Sequence, residues 1–192
     1  MRYLEEKIQL HNEMIEKIDL NQIESVANGI INCYKKGGKL LIFGNGGSAA
    51  DAMHFAAEFE GQLSSVDKGR KPLSAITPFN ISALTAISND YSYDNSFERF
   101  VIANAQKGDV VIGISTSGNS KNVIAAIKSA KELGAITVGF TGNNGGELNG
   151  LVDIIFNVPV SNVSIIQEGH IIGYHRVCAL VIKELFGYDA LK

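Results

Sequence analysis

The run KLLIF at 39–43 leads straight into Gly44, Asn45, Gly46, Gly47 and Ser48, and nothing else in the chain narrows its fold as much. A short apolar run bounded by glycines suits a strand buried on both faces of a parallel sheet, since successive side chains point to opposite faces and both faces must be dry. Glycines let the backbone turn sharply and come close to a ligand. The alanine-rich segment 49–62 then reads as a helix. The glycines therefore fall between a strand end and a helix start, where free N–H groups and the helix dipole favour an anion. Taken alone, such a turn is more often merely tight than specific.

The same unit appears a second time. Segment 109–114 is an apolar strand, Ser115, Thr116, Ser117, Gly118, Asn119 and Ser120 form a polar turn, and a helix follows from about 121 to 133, stopped by Gly134. Further strands are expected at 73–77, 136–140 and 152–156, and further helices at 80–87, 97–106 and 163–185. Between them lie a polar loop at 64–72, an irregular aromatic loop at 89–94 and a glycine-rich segment at 141–150. Strands alternating with helices predict a doubly wound, flavodoxin-like α/β sheet of about five parallel strands. Two helices precede this pattern. The first, 1–18, is mostly polar with a narrow stripe of Leu4, Ile8, Met14, Ile15 and Ile18, and needs a partner within the fold or on another subunit. The second runs to Gly37, with Asn21 and Glu24 spaced as a capping box. The expectation is one domain over 1–192, with helices in 1–36 and the α/β core in 37–192.

A chain of 192 residues, 45% hydrophobic and 19% charged, is long enough for one well-buried domain. Its net charge of −3 provides no broad basic field, which argues against nucleic acid as a direct ligand. Any phosphate must be held locally, by loops. Cys33 and Cys178 sit in apolar helical contexts and fit buried thiols in a reducing compartment. No apolar run approaches the ~20 residues of a membrane span, and the amino terminus lacks a signal-peptide core, so a cytoplasmic protein is expected.

Four hydroxyls, on Ser115, Thr116, Ser117 and Ser120, stand beside a helix start. At any one position a Ser or Thr is a simple cap; four in six residues, beside a second glycine turn, favour phosphate. His54 and Glu58 are four apart and share a helix face. Such a pair is usually a structural contact, but their neighbours are Ala, Met and Phe, and a polar pair on a half-buried face needs a reason. The last helix offers Gln167, Glu168, His170 and His175 in an apolar setting. Gln167 and His175 share a broad side but stand about 12 Å apart along the axis, a long stretch for one ion; His170 points elsewhere, as a core histidine.

Four blocks together are similar to a known family: GNGGSAADAMHFAAE at 44–58, LTAISND at 84–90, GISTSGNS at 113–120, and IQEGH at 166–170 followed by His175. They resemble the phosphoheptose isomerases of the sugar-isomerase (SIS) domain superfamily. The resemblance implies a ketose–aldose isomerase converting sedoheptulose 7-phosphate to D-glycero-D-manno-heptose 7-phosphate through an enediol, for heptose biosynthesis. It implies Glu58 and His175 as the catalytic pair and one zinc ion (Zn2+) near His54, Glu58, Gln167 and His175. Substrate contacts are implied for Asn45, Gly46, Gly47, Ser48, Glu58, Asn89, Asp90, Ser115, Thr116, Ser117, Ser120 and Gln167, and a homotetramer with active sites between subunits. Gln62 and Ile165 stand where that family often carries arginine, and Ser164 where some members carry aspartate, which leaves another phosphosugar open as substrate. A non-catalytic SIS protein of the kind that associates with the replication initiator is the alternative class; His54, Glu58 and His175 together favour an enzyme.

Overall fold

The structure, a computed structural model, describes residues 2–189. In chain order its elements are α1 (Arg2–Lys17), α2 (Leu20–Lys35), β1 (Leu40–Gly44), α3 (Gly47–Glu60), β2 (Ala75–Ile76), α4 (Ile81–Asp90), α5 (Ser96–Asn104), β3 (Val110–Ser115), α6 (Lys121–Glu132), β4 (Ile136–Gly142), β5 (Ile154–Val158) and α7 (Val163–Phe186). The sheet has five strands in the order β2-β1-β3-β4-β5, every pairing parallel. This is the expected doubly wound, five-stranded α/β fold.

The apolar run makes β1 a central strand for the reason its sequence suggests: all of its residues are buried, and they alternate between two cores. Leu40 and Ile42 pack with α2, α3 and α7; Leu41 and Phe43 pack with α5 and α6. Burying each such side chain is worth about 2 kcal/mol, so a one-residue slip of the strand would misplace all of them. On β3 the second face carries Gly113, where a Cβ would come within 2.7 Å of Val123 Cγ1, so α6 lies close against the strand.

Several boundaries differ from expectation. Strand β2 shrinks to Ala75–Ile76, an edge strand paired only with β1. Helix α2 is capped by Asp19, whose carboxylate accepts from the Asn21 N–H, so Asn21 lies inside the helix and the capping box is not formed there. Helix α4 continues through Asp90, which turns Asn89 and Asp90 into a helix end rather than loop residues. Tyr93–Asn95 form a 3-10 turn. Helix α7 is capped at one end by Asn162, which accepts from the N–H groups of Ser164 and Ile165, and closes at Gly187 with φ +78°.

Helix α1 is mostly exposed. Only Met14 is buried, seated where Gly169 of α7 has no side chain: a Cβ there would lie 3.0 Å from the Met14 sulfur. His11 Nδ1 meets Glu168 Oε2 at 2.7 Å, while Tyr3, Leu4, Ile8 and Ile15 remain exposed. Among the described residues, no helix is long and apolar enough to cross a membrane.

Candidate active site

Strands β1 and β3 are neighbours, yet the helices that leave them, α3 and α6, pack on opposite faces. A crevice opens at such a point, outside the carboxyl ends of the strands, where open α/β sheets hold ligands. Both polar turns end here. Gly44 is squeezed between Ser48 and the Ile114 carbonyl, with a Cβ falling 2.7–2.9 Å from them, and Gly46 takes φ +57° to start α3. Asn45 and Asn122 exchange two amide hydrogen bonds of 2.9 Å, joining the β1 turn to the first turn of α6. The Tyr93 hydroxyl donates to Asn45 Oδ1 at 2.7 Å, so the α4–α5 connection closes on the same asparagine.

In the second turn, the Ser115 and Ser120 hydroxyls are 2.9 Å apart, and Ser117 Oγ accepts from the Asn119 N–H at 3.1 Å. Ser115 is buried, Thr116 and Ser120 half-buried, and Ser117 exposed. The Ser115–Ser120 contact uses one hydroxyl hydrogen of its pair. The Ser115 and Ser117 hydroxyls also meet, at 3.5 Å, so one of the three hydroxyl hydrogens is left to point at an anion and that long contact is easily given up for one.

Where α3 packs against α7, three side chains predicted to act together converge. One ligand atom from each of His54, Glu58 and His175 lies within 4.8 Å of the other two. His54 Nε2 is 2.9 Å from Glu58 Oε1, and the His54 and His175 rings meet edge to face at 5.0 Å. The remaining Glu58 oxygen, Oε2, is buried with no hydrogen-bond partner. A buried carboxylate oxygen left unpaired is costly, and a cation is what it lacks. Two imidazoles and a carboxylate also form a donor set that suits zinc. The residues present therefore fit the metal.

Neighbours tune this cluster. The fully buried Tyr174 places its hydroxyl 2.8 Å from His54 Nδ1 and stacks on Phe55. Burial and the Asp51 carboxylate push the Tyr174 phenol up, so it stays protonated. Burial also raises Asp51 to about 6, an effect His54 partly offsets, and Asp51 Oδ2 has no partner. His175 is held below the usual imidazole range by burial first and then by His54. The carbonyl of Glu58 accepts from the Arg70 guanidinium, which also donates to the Phe59 carbonyl at 2.7 Å and is paired at 2.9 Å with the buried Asp67. This cation closes the last turn of α3, where the helix dipole favours positive charge.

Gln167 does not join the three converging groups. Its amide rests on Gly47, where a Cβ would fall 2.1 Å from Nε2. About 10 Å of helix separates Gly47 from His54. Asn89 donates to Asp90 Oδ1 at 2.8 Å at the exposed end of α4, close in sequence to Tyr93. His170 is fully buried and donates from Nε2 to the Thr141 carbonyl at 3.0 Å, the core histidine expected. Tyr174, Asp51, Arg70, Asn122 and Tyr93 were not singled out by the sequence. Only Asp51 carried a usable signal, three residues before His54 on the same helix face.

The geometry agrees with comparisons to known proteins. A family profile described as SIS domain matches residues 2–142. A probable phosphoheptose isomerase of Thermoplasma acidophilum is 53% identical over 165 residues, 85% of this chain and 89% of that protein. The phosphoheptose isomerase of Clostridium acetobutylicum is 47% identical over 190 residues, covering 96% of each. Among solved structures, the phosphoheptose isomerase of Neisseria gonorrhoeae superimposes with a TM-score of 0.84 at 40% identity, covering 94% of this chain and 95% of that one. The enzyme from Francisella tularensis gives 0.85 at 32% identity, covering 94% of each. With its sheet order, its paired polar turns and its His–Glu–His cluster, the chain belongs to the phosphoheptose isomerase family of SIS-domain proteins.

Proposed function

We propose that the protein interconverts sedoheptulose 7-phosphate and D-glycero-D-manno-heptose 7-phosphate through an enediol. The observation that carries this reading is the meeting of Glu58 and His175, brought by separate helices, within 4.8 Å of each other, on a helix pair of which α3 starts at the first of the two phosphate-type turns. Isomerisation moves one proton between adjacent carbons and another between their oxygens, so it needs two groups at one end of the sugar. Glu58 takes the proton from C1 of the ketose while His175 gives one to the C2 oxygen, which yields the enediol. His175 then takes the O1 proton and Glu58, whose acid proton exchanges with solvent while the enediol is bound, gives a proton to C2. Ser115, Thr116, Ser117 and Ser120 hold the phosphate, and Asn45, Gly46, Gly47, Ser48, Asn89, Asp90 and Gln167 line the sugar.

His54, Glu58 and His175 would hold a zinc ion; for Gln167 to serve as the fourth group its amide would have to swing away from Gly47, where it rests in this structure. When bound, zinc supplies a Lewis acid that polarises the carbonyl and lowers the energy of the enediolate. A carboxylate bound tightly to zinc is a poor base, so taking the proton and holding the metal are competing duties for Glu58. Measuring turnover and metal content of Glu58→Gln and His175→Gln separates them: loss of turnover with metal retained assigns proton transfer, and full turnover removes that residue from the mechanism.

The exposed apolar stripe of α1, together with α4, none of whose residues is buried, supports assembly of copies into a homotetramer with sites near subunit contacts. Light scattering tests this directly. The two free, buried cysteines suit a reducing cytoplasm.

A further inference from the structure

Behind the Ser115–Ser120 turn lies a second irregular turn, after β4, that no step above uses. The two are in unusually close contact. A Cβ at Gly118, φ +67°, would fall 1.9 Å from the Gly145 carbonyl oxygen, and a Cβ at Gly146, φ +56°, would fall 2.4 Å from the Ser117 carbonyl oxygen. One side chain spans the junction. Asn119 donates from Nδ2 to the Ser117 carbonyl at 3.0 Å and accepts at Oδ1 from the Glu147 N–H at 2.9 Å, while its own N–H reaches Ser117 Oγ at 3.1 Å. The Leu148 N–H donates to the Gly118 carbonyl at 3.1 Å and completes the brace.

These contacts decide what the turn offers an anion. Carbonyl oxygens repel phosphate, and hydroxyl hydrogens attract it. Asn119 ties the Ser117 carbonyl back toward the β4 turn and, by donating its N–H to Ser117 Oγ, leaves the hydroxyl hydrogen as that group's remaining polar contact to give. A turn fixed in this way before the ligand arrives does not lose the entropy of ordering on binding.

We propose that Asn119 is a positioning residue for the phosphate of the substrate, acting by locking the Ser117–Gly118 peptide against the Gly145–Glu147 turn. The proposal rests on the sugar-phosphate reading of this crevice and extends it to a residue that need not touch the ligand.

The test is Asn119→Ala and, from the opposite side of the junction, Gly146→Ala, each compared with the unaltered protein in three measurements. These are kcat and KM with sedoheptulose 7-phosphate, calorimetric titration with inorganic phosphate, and thermal unfolding. Asn119 is exposed and its side chain makes two hydrogen bonds, so its removal should lower the melting temperature by only a few degrees and leave the protein folded. Loss of one or two hydrogen bonds that orient the turn predicts a KM and a phosphate dissociation constant raised about tenfold, with kcat changed less than twofold. Inorganic phosphate keeps the outcome independent of the isomerase assignment: weakened phosphate binding in both variants upholds the brace even if the unaltered protein turns over no sugar. Unchanged phosphate affinity in Asn119→Ala, or an unaltered protein that binds no phosphate, overturns it.

Discussion

The Tyr174 hydroxyl lies 2.8 Å from His54 Nδ1, on the side of the ring opposite the Nε2 that faces Glu58. A histidine that binds a metal through one nitrogen is oriented by whatever the other nitrogen meets, and such partners typically matter 10–100-fold in metal affinity. Tyr174→Phe keeps the ring that stacks on Phe55 and removes only the hydroxyl. It should therefore weaken zinc binding by about ten- to a hundredfold while the fold stays intact. Titration of metal-free protein with zinc, read beside circular dichroism, checks both halves.

Gly47 stands where any side chain would strike the Gln167 amide, 2.1 Å away. The atom in the way is the far end of a flexible side chain, so it can move. Gly47→Ala should thus cost little stability, less than about 1 kcal/mol because a helical alanine offsets the crowding. Turnover should fall severalfold as Gln167 is displaced. Thermal unfolding and steady-state kinetics on the same preparation separate the two effects.

Asp51 is raised to about 6 by burial, against 3.8 for an ordinary aspartate. The folded metal-free protein then holds this proton more tightly than the unfolded chain. Stability contributed by the site falls as pH rises from about 4 through 6, and above that the whole cost is present. At about 1.4 kcal/mol per unit, removing the charge by Asp51→Asn should stabilise the metal-free protein by up to about 3 kcal/mol at pH 7 and by almost nothing at pH 4. Urea unfolding at the two pH values, with a chelator present, reads the difference; equal gains at both would contradict the assignment.

Much of this architecture was readable in advance because its causes are local. Two-faced burial of β1 follows from four consecutive apolar residues, and the crevice from glycine and serine turns that follow two strands. The meeting of His54 and Glu58 follows from helical spacing alone. Tyr174 was hidden because an aromatic residue in an apolar helix looks like core, and it is core; only the cross-helix contact with His54 gives its hydroxyl a role. Arg70 was hidden for another reason. It lies in a polar loop where surface charge is the ordinary reading, and its burial against the end of α3 depends on Asp67, whose carboxylate also accepts from the Leu63 and Ser64 N–H groups. The sequence predicts too short an α4 because Asn and Asp favour turns, while here they occupy a last helical turn and bond to each other.

If Glu58 and His175 move protons on a seven-carbon sugar phosphate held by the two turns, the exchange can be watched directly. Incubating the zinc-loaded protein with sedoheptulose 7-phosphate in deuterated water, and following the sugar by proton NMR, tests it most directly. The aldose anomeric signal should appear with the unaltered protein, deuterium should enter at the exchanging carbon, and Glu58→Gln should abolish both. No aldose from the unaltered protein, or deuterium entry that survives Glu58→Gln, would contradict it.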